Sequence, residues 1–194
     1  GGRICGVQNG LLDMMSDVST IVVLHDAAGK PAAADLESKL VESGVRNVQP
    51  ADYRNFAHGR HNWIGKHPQD TGVIMLTSLR CKRLAESTAG LLPPGIPVVR
   101  LNTELDGYAG MLSLLIQGMC AVGELGTQSG IDPGRPGVAE FGRKLYGMGP
   151  YGFYVGARMH DVSDEKETCE RCGVNPKAPG SRHCDSTECW LLDP

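Results

Sequence analysis

Residues 20–24 read Thr20-Ile21-Val22-Val23-Leu24 and residues 73–76 read Val73-Ile74-Met75-Leu76, two short, unbroken apolar runs rich in β-branched side chains. Runs of this length without polar alternation are strands buried on both faces, the mark of a parallel sheet covered by helices. Residues 45–48 and the stretch Ile96-Pro97-Val98-Val99-Arg100-Leu101 read as two further short strands. Between the runs lie helical patterns over residues 32–43, ended by Gly44, over 53–64, and over 80–91, stopped by Pro93-Pro94. Glycine accepts the left-handed conformation past a helix end, and proline cannot continue the hydrogen-bond ladder. Strands alternating with helices predict a three-layer α/β/α sandwich with a mostly parallel sheet of four to five strands.

Beyond the fourth strand, Met111, Leu112, Leu115, Met119, Val122 and Leu125 recur at three- and four-residue steps, with Leu114, Ile116 and Ala121 widening the stripe. So broad a stripe fits a core helix or one that packs against a second subunit. A turn-rich passage over residues 130–137 and a helical pattern over 138–146 follow, and after Gly149 the sheet pattern ends. The expected organisation is an α/β domain over residues 1–150 and a linker with a Cys-rich tail over 151–194.

Composition limits the function classes. The chain has 194 residues, 41% of them hydrophobic, and a net charge of −3. Residues 161–194 hold eight acids against four bases, so the acidity belongs to the tail and the first 160 residues are near neutral. Nucleic acids and anionic membranes demand a concentrated basic face, which this body lacks. The apolar runs stop short of the roughly 18 residues that span a bilayer. The start shows no basic segment followed by a continuous apolar one, so a soluble protein in a reducing, cytoplasmic setting is expected.

Taken alone, Lys39 and Glu42 are charges three apart on one helical face near its end, and His58 is a histidine in the segment that follows the second strand. Such residues usually face water. Together they carry a resemblance. Lys39-Leu40-Val41-Glu42, the sixteen residues from Glu42 to His58, His58-Gly59 and Ile64 resemble the second isomerase half of the sugar isomerase (SIS) family of glucosamine-6-phosphate synthase and its deglycase relatives. The similarity runs over about residues 20–147, through the third strand and Gly130-Ile131-Asp132 with Pro136.

The resemblance implies a homodimer that performs aldose–ketose chemistry on a sugar phosphate. Glu42 would be the base that moves a proton between C1 and C2, and Lys39 would stabilise the enediolate. His58, donated across the dimer, would shuttle the proton that opens the sugar ring. Thr77-Ser78, after the third strand, is the candidate to cradle phosphate, and Arg143 or Lys144 would stand in for the family's tail lysine. Trp63 either stacks on a sugar face or packs its helix on the sheet. A non-catalytic sugar-sensing or dimerisation module is the alternative.

The tail is a second constellation. Cys169-x-x-Cys172, then His183-Cys184, then Cys189 make two ligand pairs separated by a loop containing glycine and proline. Four thiolates suit a tetrahedral structural Zn²⁺, and His183 can replace Cys184 in a Cys3His set. Reduced thiols or a pair of disulfides are the other readings. Cys5, Cys81 and Cys120 are scattered through the body of the chain and read as packing residues.

Overall fold

The structure is a computed structural model and describes residues 13–146. Four strands, β1 (Thr20–His25), β2 (Asn47–Asp52), β3 (Thr71–Thr77) and β4 (Val98–Asn102), form one parallel sheet in the order β2-β1-β3-β4. The helices are α1 (Lys30–Glu42), α2 (Tyr53–Asn55), α3 (Asn62–Lys66), α4 (Lys82–Leu91), α5 (Gly107–Gln128) and α6 (Glu140–Tyr146). A compact unit ends at Val138, and α6 belongs to the chain beyond it.

Alternation along the two central strands divides the core. Ile21, Val23, Ile74 and Leu76 face α1 and α5, where Leu36, Leu40, Leu114 and Leu125 are fully buried. Val22, Leu24, Val73 and Met75 face the other layer and meet Tyr53, Phe56, Ile64 and Ala85. Each such side chain contributes about 1.5–3 kcal/mol relative to exposure, which is why β1 and β3 are continuously apolar.

Three departures from the sequence reading have physical causes. β2 runs on through Pro50, because an edge strand tolerates a residue without a backbone N–H. The single helix expected over residues 53–64 is broken into α2, a π-helical turn (Phe56–Arg60) and α3. Gly59 makes the break at φ 151°, a conformation that a residue with a Cβ rarely adopts. The last long helix, α5, is 22 residues and by length and composition long enough to cross a bilayer. Here it lays Leu114, Ala121 and Leu125 against α1 and the sheet.

α5 leaves its other face open. Tyr108 (89% exposed), Leu112 (57%) and Met119 (51%) lie along it, and no charged residue occurs from Gly107 to Gly123. The Cys-rich tail, with Cys169, Cys172, His183, Cys184 and Cys189, lies outside the described residues, as does Cys5. Among the described residues, no three His, Cys, Asp or Glu side chains are grouped to hold a metal ion.

Candidate functional site

In a parallel sheet of this kind ligands gather at the carboxyl ends of the strands, where the order of connection reverses. β1 connects outward to β2, and the chain then crosses back to β3, so the reversal lies between the ends of β1 and β3. The residue that leaves β1 is Asp26. One carboxylate oxygen accepts from the Gly29 N–H at 2.9 Å, and the other accepts from the Ser78 hydroxyl at 2.5 Å, across the crevice. Gly29 is held closely here, since a Cβ would lie 3.0 Å from that of Leu76 and 3.1 Å from that of His25. The chain can therefore enter α1 directly against β3.

β3 ends in a polar, buried corner. Ser78 and Thr77 are both buried, and the Thr77 hydroxyl faces the Tyr53 hydroxyl. The Tyr53 hydroxyl lies near it but donates to the Leu76 carbonyl at 3.5 Å. Burial pushes the Tyr53 hydroxyl far above its ordinary range, so it stays protonated as a donor. The Ser78 N–H donates to the Cys81 sulfur at 3.3 Å. Burial also raises the Cys81 thiol, which therefore remains neutral and a poor nucleophile.

The corner continues to β4. The Thr103 N–H donates to the Thr77 carbonyl at 3.0 Å, and a cavity of about 90 Å³ is lined by Thr77, Ser78, Lys82, Arg100, Asn102 and Thr103, with Glu86 and Glu104 also at its wall. Two exposed ion pairs tie the start of α4 to the loop after β4: Lys82 to Glu104 at 2.9 Å, and Arg80 to Asp106 at 2.9 Å. The Arg80 hydrogen bonds hold the Asp106 carboxyl below its usual range, and the Gly107 N–H adds to this as Asp106 caps α5.

The residues singled out from sequence fall in different places. Thr77 and Ser78 join Asp26 at the reversal. His58 is exposed on the π-helical turn that follows β2, at the same carboxyl edge. Lys39 and Glu42 are in the last turns of α1, which runs from that edge to the opposite, amino edge. Lys39 is paired with Asp35 and Glu42 accepts from the Ser38 hydroxyl at 2.8 Å, so both are engaged within their own helix. Beside them, Val41, Arg46 and Asn47 line an open hollow of about 560 Å³. The chain therefore keeps Glu42 and His58 on opposite edges of its sheet.

Trp63 is half-buried. Its indole N–H donates to the Thr71 hydroxyl at 3.2 Å, at the start of β3, and its ring stacks on His67 at 4.0 Å. Lys144 lies on α6, exposed and paired with Glu140 at 3.2 Å. Asp26 and Arg100 escaped the sequence reading as site residues. An acid directly after a buried strand, at the one place where the strand order reverses, was the available signal for Asp26.

No protein-family model and no curated protein matches the chain. Among solved structures it is similar to a protein from Bacteroides fragilis provisionally described as a phosphosugar isomerase involved in capsule formation, with 10% identity over 63% of this chain and 77% of that one, and a TM-score of 0.48.

Proposed function

We propose that the chain is a sugar isomerase-type domain that binds a sugar phosphate or a related carbohydrate derivative, with aldose–ketose isomerase or deglycase chemistry completed in a homodimer. The observation that carries the reading is the hydroxyl and carboxylate corner of Thr77, Ser78 and Asp26 at the reversal between β1 and β3. Hydroxyls fixed at that point suit a polyhydroxylated, phosphorylated ligand.

In the isomerisation, Glu42 takes the proton from C2 of the open-chain aldose and returns it to C1, while the proton on O2 passes to O1. Lys39 neutralises charge that develops on the enediolate oxygens, which requires it to exchange Asp35 for the substrate. His58 moves the proton that opens the ring. Because Glu42 and His58 occupy opposite edges of one sheet, they serve one sugar only when they come from different copies. The uncharged α5 face with Tyr108, Leu112 and Met119 is a surface suited to such a partner. The same proposal gives the tail a structural zinc on Cys169, Cys172, Cys184 and Cys189.

A second reading, a non-catalytic sugar-sensing or dimerisation module, is favoured by the ordinary intrahelical pairing of Lys39 and Glu42. Calorimetric titration with hexose and hexosamine 6-phosphates separates the two, together with turnover by wild type and Glu42→Gln. Isomerase chemistry predicts saturable binding and a loss of turnover of roughly 10²- to 10⁴-fold in Glu42→Gln. Binding without turnover supports the sensing module. No saturable heat with any of these ligands ends the sugar-phosphate reading, and unchanged turnover in Glu42→Gln ends the base assignment.

A further inference from the structure

At the reversal between β1 and β3 most titratable groups are already committed. The Asp26 carboxylate accepts from Gly29 and Ser78, and burial keeps the Tyr53 hydroxyl and the Cys81 thiol protonated. His25, the half-buried last residue of β1, is different. Its Nδ1 lies 2.9 Å from the Asp26 main-chain carbonyl. A carbonyl can only accept, so Nδ1 carries the hydrogen, and in the neutral ring Nε2 is left with an open lone pair. Nε2 has no hydrogen-bond partner among the described residues. The parallel register sets His25 opposite Asp52. Asp52 caps α2, and the Asn55 N–H that donates to it at 2.9 Å holds its carboxyl below the usual range, so an ionised carboxylate stands on the strand beside the imidazole. A negative charge there favours the imidazolium that forms when Nε2 takes a proton. From Asp52 the chain runs through α2 into the π-helical turn that carries His58. One chain thus brings two histidines to the ends of neighbouring strands, at the same edge of its sheet.

We propose that His25 is the general base of ring opening, taking the proton from O1 of the closed sugar through Nε2 while His58 supplies the proton that O5 needs. As the O1–H proton passes to Nε2, the C1=O1 double bond forms and the C1–O5 bond breaks, and the electron pair left on O5 takes a proton from the His58 imidazolium. Exchange with water returns both rings to their starting states. Opening a hemiacetal asks for a base at one oxygen and an acid at the other, and a single histidine has to serve as both in turn. Two histidines at one edge divide the task. Ring opening then lies wholly within one chain, and the second copy supplies Glu42. The assignment rests on the sugar-phosphate reading above and adds a residue and a step to it.

The test is the interconversion of the α and β anomers of glucose 6-phosphate and glucosamine 6-phosphate, followed by exchange NMR with the full chain present, because that exchange reads ring opening alone. The expected result is acceleration by the wild type, reduced by roughly 10²-fold in His25→Asn. Asparagine carries an N–H where the Nδ1–H stood, so it keeps the bond to the Asp26 carbonyl and removes only the base. His67→Gln, at a histidine that stacks on Trp63 beside the start of β3, leaves the exchange unchanged. Circular dichroism verifies the fold of each variant, and His25→Gln replaces His25→Asn if the latter does not fold. A second readout needs no sugar: nitrogen NMR of the histidine-labelled chain should show neutral His25 protonated at Nδ1, and protonation at Nε2 overturns the assignment. Wild-type acceleration in His25→Asn also overturns it, as does an equal loss in His67→Gln. A sugar that binds saturably without faster anomer exchange ends the assignment alone and leaves the sugar-phosphate reading standing. If neither sugar binds, that reading fails and the assignment fails with it.

Discussion

Asp26 ties the exit of β1 to the end of β3, and removing its carboxylate should both destabilise the domain and disorganise the crevice. In Asp26→Ala the Ser78 hydroxyl loses an acceptor at 2.5 Å and the Gly29 N–H loses one at 2.9 Å. Hydrogen bonds to a charged group contribute about 1.5–3 kcal/mol each, and the half-buried setting places these near the low end, so the expected loss is about 3 kcal/mol. For a domain of this size that is roughly 10 °C in Tm. Asp26→Asn, whose single carbonyl oxygen can serve only one of the two donors, should lose about half as much. Urea unfolding followed by circular dichroism measures these values, with an unchanged m-value showing that stability alone has moved. A double-mutant cycle with Ser78→Ala isolates the pair and should return a coupling of about 1–2 kcal/mol. A loss below about 0.5 kcal/mol in Asp26→Ala, or a coupling indistinguishable from zero, would refute the argument that this bond organises the reversal.

Two further outcomes are expected. Leu112→Glu places a charge in the middle of the open α5 face, and since a buried unpaired charge is strongly unfavourable it should convert a dimer to monomer in light scattering while leaving the circular dichroism spectrum unchanged. A wild-type chain that is monomeric at all concentrations, or a Leu112→Glu dimer, removes α5 as the interface. Metal analysis of the purified chain should give about one zinc per chain, falling towards zero in Cys172→Ser or Cys184→Ser. Far less than one equivalent in the wild type excludes the structural zinc.

The layers of the fold were legible because burial writes itself into composition. β1 and β3 are buried on both faces and are apolar throughout, whereas the broad stripe of α5 mixes residues that pack in the core, such as Leu114, Val122 and Leu125, with Leu112, Ile116 and Met119, which are exposed. What escaped was set by context. Pro50 reads as a strand breaker until β2 is known to be an edge, and the π-helical turn depends on a single glycine, Gly59, inside an otherwise helical pattern. The site was less legible still. Thr77 and Ser78 stood out as hydroxyls at a strand end, but Ser78 and Asp26 are 52 residues apart and meet only because β1 and β3 are neighbours. Arg100 looks like an ordinary exposed strand residue, and it lines the same crevice as Thr77 because the register sets it opposite Met75 and Asn102 opposite Thr77.

The proline in β2 also bears on how copies of this chain avoid one another. Arg60 donates to the Pro50 carbonyl at 3.4 Å from outside the sheet, and in a parallel strand the two backbone groups of one residue turn to the same side. At the middle of this outer strand the acceptor is therefore already occupied and the donor does not exist. An extended segment from another molecule finds no continuous ladder to join there, so growth of the sheet into a β-aggregate is blocked at that margin. The homodimer proposed above has to form instead through side-chain surfaces, of which the open α5 face is one.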